Sequence, residues 1–223
     1  MQVSAAEGHR LWAPVYDLGP NPLLALESRV VRDLLPRTPR QVVDVACGTG
    51  RWASYFAQSG TSVYGIDACA EMLTQAAKHG FLKGRLVLAS AEYLPFREGI
   101  ADLVLCSFAA SYFGDLQRAL VEMARISAPG SCVLISDMHP AAVTAGWSRS
   151  FRVNTFLYEI ETTQYSTAEL YAAARSAGLR RTADFDASFG EPERSLFERA
   201  GKQHLWTRLS AIPAVWIGIW RKP

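Results

Sequence analysis

Apolar residues recur along this chain in two alternating rhythms. Leu23, Leu26, Val30 and Leu34 share one stripe at helical spacing and predict a helix over 21–35. Asn21 suits its cap and Pro22 its first turn, and Pro36 and Pro39 lie where it must end. QVVDVA (41–46) is a short β-branched run and predicts a first strand. A helix from about 51 to 59 follows and closes at Gly60. Strands are predicted at 62–66, 85–89, 102–106 and 132–136, separated by helices near 70–78 and 115–127. Strand–helix alternation with short connections predicts a parallel sheet covered by helices on both faces.

Beyond residue 138 the rhythm loosens. The aromatic-bearing stretch 139–165 reads as an irregular insertion or lid. Ser166 with Glu169 forms a capping box for a helix ending at Gly178. A strand at 179–185, a long connection over 186–206 and a last strand in PAVWIGIW (213–220) complete the chain. With no helix expected between the last two strands, they read as antiparallel neighbours.

The 223 residues are 49% hydrophobic and 20% charged, which fits one globular domain over 1–223 and excludes a disordered chain. Charge is nearly balanced, 23 Lys and Arg against 21 Asp and Glu, so nothing electrostatic points to nucleic acid. The four cysteines lack zinc-type spacing, and no metal is expected. No apolar run reaches membrane-spanning length and no secretory leader opens the chain, so no membrane partner and a cytoplasmic setting are expected.

Candidate chemistry begins with VVDVACGTGRWA after the first strand. Gly48 and Gly50 allow a tight turn and close approach of a ligand at a helix start, and with Ala53 they fit the dinucleotide spacing G-x-G-x-x-A. Asp44 changes that reading, because a carboxylate there repels a pyrophosphate and suits a cationic, phosphate-free nucleoside. S-adenosylmethionine is such a ligand. Asp67, closing the second strand, can accept both ribose hydroxyls. Ala68 and Met72 can pack on adenine, while Glu92 or nearby backbone amides can bind its edge. Ser107 closes the fourth strand beside the methionine part. Helix capping is the alternative role for Asp44 and Asp67.

DVACGTG, VYGIDACAEML, ASAEYLPF, ADLVLCSF and APGSCVLISD, in this order, resemble the successive motifs of class I S-adenosylmethionine-dependent methyltransferases of the small-molecule UbiE/type-11 group. The motifs cover 41–137. The resemblance implies a Rossmann-like, doubly wound seven-stranded sheet of order 3-2-1-4-5-7-6 with the seventh strand antiparallel. It also implies that Ala46 and Ala91 join the cofactor site, and that RLWAPVYDLG, with Tyr16, folds over the cofactor from a cap of helices within 1–36. Packing on the sheet edge is the alternative for Tyr16.

Methyl transfer from a sulfonium needs alignment and exclusion of water, and a base only where the acceptor must lose a proton. His139, just past the fifth strand in SDMHP, is the candidate base, and its alternative is a loop histidine bonded to backbone. Tyr112, Trp147, Arg152 and Tyr158, with Phe151 and Phe156, would wall an acceptor pocket with one cation, the acceptor being small and partly hydrophobic or aromatic. A monomer or homodimer is expected. Two rival readings are a nicotinamide-dependent oxidoreductase and an adenosylmethionine-binding protein without methyl transfer.

Overall fold

The computed structural model describes residues 1–36 and 38–223. A short strand, β1 (Gln2–Val3), leads into α1 (Ala5–Trp12), which Ser4 caps by accepting the Glu7 amide. Helix α2 (Pro22–Leu34) starts where Asn21 Oδ1 accepts the amides of Leu23 and Leu24. The repeated run that follows is β2 (Gln41–Val45), α3 (Arg51–Gln58), β3 (Ser62–Asp67), α4 (Ala70–Ala76), β4 (Leu86–Leu88), β5 (Ala101–Ser107), α5 (Leu116–Ile126) and β6 (Ser127–Met138). The second half holds α6 (Pro140–Thr144), the hairpin β7 (Ser150–Val153) and β8 (Phe156–Ile160), α7 (Thr167–Ser176), β9 (Arg180–Ala187), α8 (Glu191–Arg199), α9 (Trp206–Leu209) and β10 (Val215–Arg221).

Seven strands form one sheet in the order β4-β3-β2-β5-β6-β10-β9. All neighbouring pairs are parallel except those of β10, which runs antiparallel to both β6 and β9. Counted within this sheet, the order is 3-2-1-4-5-7-6, as the resemblance implies. Both faces are covered, which is why β2 reads as an unbroken apolar run around one acid. Val43, Val45, Val104 and Cys106 turn to the layer carrying α5 and α7, while Val42, Leu103 and Leu105 turn to α2, α3 and α8. Each buried Leu, Val or Met side chain in these layers contributes roughly 1.5–3 kcal/mol by leaving water.

Two expected segments differ. The stretch 139–165 is ordered as α6 and a β-hairpin, and β8 pairs in parallel with β1, Gln2 opposite Glu159 and Val3 opposite Ile160, in a separate three-stranded sheet. Segments 156 residues apart thus meet, with the Met1 ammonium donating to the Leu157 carbonyl at 2.8 Å. The connection at 186–206 contains α8, started by Gly190 and Glu193 and tied to α2 by the Arg29–Glu193 ion pair. Phe189 and Phe197 of this connection pack in the layer with α2 and α3, and none of it lines the two cavities described below. No helix among the described residues is long and apolar enough to cross a membrane.

Candidate functional site

The carboxyl ends of β2, β3 and β5 open on a crevice of about 620 Å³, within the 300–1,000 Å³ typical of small-molecule sites. Its floor is the turn between β2 and α3. Ala46 and Gly48 both take left-handed backbone, φ 55° and 56°. A side chain at Gly48 would meet no atom within 4 Å, so this edge of the loop faces open space. Gly50 is different. It starts α3 at φ 83°, and a Cβ there would stand 2.7 Å from Leu82 and 3.1 Å from Ala76. Gly50 does not line the crevice; it lets the turn pack against the sheet's helical layer, which corrects its expected role as a ligand contact.

The two acids hold the loop. Asp67 accepts the Gly48 amide at 2.8 Å through Oδ2 and the Cys69 amide at 2.8 Å through Oδ1. Asp44, 2% exposed, accepts the Ala53 amide at 2.9 Å. Both also line the crevice. Burial pushes the Asp44 carboxyl up to about 7, against the pull of the Ala53 amide and Arg51. Burial likewise raises Asp67, opposed by its backbone donors. Loop capping and exposure to the crevice are therefore combined in the same two side chains. Each carboxylate has about four lone-pair sites, so capping leaves acceptor capacity for a ligand.

Tyr16, Ala46, Ala68, Met72, Ala91 and Ser107 line the same crevice. Glu92 lines it too, but its Oε1 accepts the amides of Gly114 and Asp115 and its Oε2 meets the Ser90 hydroxyl, so the carboxylate also braces the start of α5.

Beneath Ser107 lies a network that sequence reasoning missed. Glu27, fully buried, accepts from Ser107 and Ser136 at 2.8 Å each and from the Trp52 indole at 3.2 Å, and pairs with Arg51 at 2.8 Å. Arg51 also donates to Ser107 at 2.9 Å and lines the crevice. A carboxylate within the apolar stripe of α2 was the available signal.

Of the expected acceptor wall, Tyr112 lines the crevice, and burial pushes its hydroxyl up to about 12. Trp147 lines a second cavity and stacks on Phe189 at 6.0 Å. Arg152 and Tyr158 border neither. The period of two in β7 explains this: Phe151 turns inward onto Trp12 at 4.9 Å with its cross-strand partner Tyr158 stacked on it, so Arg152 turns out to solvent. Phe156 is exposed. The cation behind this aromatic wall is instead Arg149, paired with Asp137 and lying 4.8 Å over Phe108 and 5.9 Å over Tyr112, while Arg10 and Arg51 line the crevice itself.

His139 is also corrected. β6 runs through Met138, beyond its expected end, and carries His139 toward β9 and β10. Its Nδ1 accepts the Ala141 amide at 3.0 Å as the cap of α6, and its Nε2 stands 3.2 Å from Asp186. The ring borders no part of the crevice. The histidine that does is His9 on α1. Its ring stands edge-on to Tyr112 at 4.5 Å, and its Nδ1–H donates to the Ala5 carbonyl at 2.8 Å. That bond leaves Nε2 as the basic nitrogen of the neutral ring. Burial lowers the His9 pKa although the Asp67 charge opposes it.

No group of His, Cys, Asp and Glu able to hold a metal occurs among the described residues. Residues 43–135 match the family model described as a methyltransferase domain. Among curated proteins, the malonyl-[acyl-carrier protein] O-methyltransferase of Pectobacterium atrosepticum is 32% identical over 123 residues, covering 52% of this chain and 48% of that one. The demethylmenaquinone methyltransferase of Thermus thermophilus is 33% identical over 139 residues, covering 57% of this chain and 63% of that one. The chain spans about half the length of the curated relatives it matches. Among solved structures, the methyltransferase bound to the Trm112 activator of Haloferax volcanii superposes with a TM-score of 0.75 at 18% identity, covering 99% of this chain and 98% of that one, a likeness of fold.

Proposed function

We propose, from the match of residues 43–135 to a methyltransferase-domain model, that the chain is a class I S-adenosylmethionine-dependent methyltransferase of the type-11 group and transfers a methyl group from this cofactor to a small, partly apolar molecule. One observation carries the cofactor reading: the loop amides of Gly48 and Ala53, which a pyrophosphate would need, are already taken by Asp67 and Asp44. A dinucleotide phosphate would meet two carboxylates here. A cationic nucleoside without phosphate meets complementary charge, so the residues fit adenosylmethionine.

Asp67 would accept the ribose hydroxyls. Asp44 would face the amino-acid ammonium, and Arg51, braced by Glu27 and Ser107, would receive the carboxylate. Ala68, Met72 and Ala91 would cover the adenine. The bound cofactor supplies an electrophilic methyl group on a sulfonium, ready for in-line displacement.

The chain's part is to align the acceptor and keep water out. Two relatives are named for unlike acceptors, a malonyl group on a carrier protein and demethylmenaquinone, so the acceptor is argued from the walls. Tyr16, Phe108, Tyr112 and Phe113 give the crevice an aromatic wall, with Tyr112 held as a neutral donor. Where the acceptor must lose a proton, His9 Nε2 is the nitrogen in place to take it.

Isothermal titration with S-adenosylhomocysteine and with NADH tests this reading. Saturable binding of the first and none of the second is expected, followed by transfer of labelled methyl from adenosylmethionine into a metabolite extract. NADH binding without adenosylhomocysteine binding would overturn the cofactor assignment. Cofactor binding with no labelled product would overturn the transfer.

A further inference from the structure

A second cavity, of about 610 Å³, lies behind the crevice wall, between the end of β6, α6, the β7–β8 hairpin and the start of α7. No residue lines both cavities; Arg149, against Phe108 and Tyr112, stands between them. At its centre is Asp137, which pairs with Arg149 and accepts the Ser111 amide at 2.9 Å. Trp216 is the direct cross-strand partner of Asp137, so the two side chains leave the sheet on the same face.

Two polar atoms here are buried and bond to nothing among the described residues: the Trp216 indole Nε1–H, on a residue 1% exposed, and the Ser111 hydroxyl. Both residues line this cavity. A buried donor without a partner has lost its bonds to water with nothing in return, and it calls for an acceptor from outside the chain. One water occupies about 30 Å³, a small part of this space. The lining is mixed: Met138, Val143, Trp147, Ile160 and Leu170 give an apolar part beside neutral polar residues such as Thr163, Gln164 and Thr167. Arg149 is neutralised by Asp137, and the exposed Glu159 and Glu161 stand at the rim. The orphan donors are neutral, no positive charge is left over, and the rim disfavours anions.

We propose that this cavity is a second ligand site, taking a neutral, partly apolar small molecule whose carbonyl oxygen accepts from Trp216 Nε1 and Ser111 Oγ. The site is independent of the cofactor reading, since it needs nothing in the crevice.

Nitrogen-15 spectra of the full chain test it with benzamide, benzoate and benzylamine as probes. The six tryptophans give six indole N–H signals, and Trp216→Phe identifies one of them. Benzamide at millimolar concentration is expected to shift that signal saturably, and the anionic benzoate and the acceptor-free benzylamine to do so much more weakly. Ser111→Ala is expected to weaken benzamide about three- to tenfold, the loss of one net hydrogen bond. It should not lower the Tm of the free protein, because this hydroxyl bonds nothing there. An unmoved Trp216 signal, equal shifts from all three probes, or unchanged affinity in Ser111→Ala would overturn the proposal. Adenosylhomocysteine is titrated separately, so failure of benzamide with cofactor binding intact sinks the second site alone, and failure of adenosylhomocysteine sinks the proposed function alone.

Discussion

Two regions border the crevice and are built in opposite ways. The floor, β2 through the start of α4, is one continuous stretch whose contacts span few residues: Asp44 reaches Ala53, and Asp67 reaches Gly48. The roof is α1, which packs through Trp12 on Phe151 of the β1-β8-β7 sheet; that sheet joins chain segments far apart, β1 to β8 by a two-residue pairing. The floor is rigid because its strands are buried on both faces and its loop amides are bonded. The roof rests on few backbone bonds at an exposed edge, the kind of element that opens at low free energy. This contrast suits a site that must bind a cofactor firmly and still exchange it.

The hardest blow to the floor is Asp67→Ala. It removes the partner of two loop amides and the ribose acceptor proposed above, charge-assisted bonds worth about 1.5–3 kcal/mol each. Adenosylhomocysteine affinity is expected to fall about 100-fold or more by calorimetry. Affinity within a few-fold of the parent would show that the floor does not hold the ligand through this side chain.

Asp44 gives a second, pH-dependent break. Its carboxyl is pushed up to about 7 in the free protein, and only the ionised form attracts an ammonium. Affinity for adenosylmethionine should be full above that value and fall about tenfold per unit as pH drops below it. Protons should be released on binding near pH 7, visible as a buffer-dependent enthalpy. The same raised value acts on the free fold: this group's contribution to stability is full below the unfolded carboxyl's value of about 3.9 and is lost as pH rises through about 7. Asp44→Asn should flatten both profiles, and a flat profile in the parent would show that Asp44 does not titrate against the ligand.

The same contrast explains what could be read from the chain before folding. The strands, the glycine turn and the two acids are written in local patterns: β-branched runs, an acid at each strand end, Gly48 where the backbone turns left-handed; the order of the strands came only with the family resemblance. Arg149 and His9 left no local mark. Arg149 and His9 both meet Tyr112 through tertiary contacts: Arg149 leads into the hairpin and is held by Asp137, and α1, which carries His9, packs on that hairpin through Trp12 and Phe151. Arg152 was misplaced because alternation along β7 depends on which face the hairpin buries, a tertiary fact. Gly50 was read as a ligand contact because a glycine needed for close packing and one needed for close approach look alike in a motif.

Deleting residues 1–3 probes the roof alone. It removes the β1 pairing and the ammonium bond to Leu157 and leaves the seven-stranded sheet intact. The thermal midpoint should stay within a few degrees, as expected when about 1 kcal/mol or less is lost. Adenosylhomocysteine dissociation, measured by stopped-flow fluorescence, should accelerate about fivefold, equivalent to ~1 kcal/mol of lost local order. An unchanged rate would mean that the roof does not gate exchange.

His139→Ala should have the smallest effect, and it separates chain proximity from position in space. Strand-end placement made this residue the natural base, yet its Nδ1 caps α6 and its Nε2 meets Asp186, on the far side of β6 from the crevice. The substitution removes one cap, worth about 0.5–2 kcal/mol of stability. Methyl-transfer turnover should change less than about twofold, below the 10²-fold or more that loss of a general base brings. His9→Ala is the counterpart: its turnover should drop with a loss of the acidic limb of the pH profile, the limb that deprotonation of a base sets, because His9 Nε2 is the free nitrogen at the crevice. If His139→Ala proved the slower enzyme, the end of β6 would have to swing its ring away from Asp186 and into the crevice during turnover.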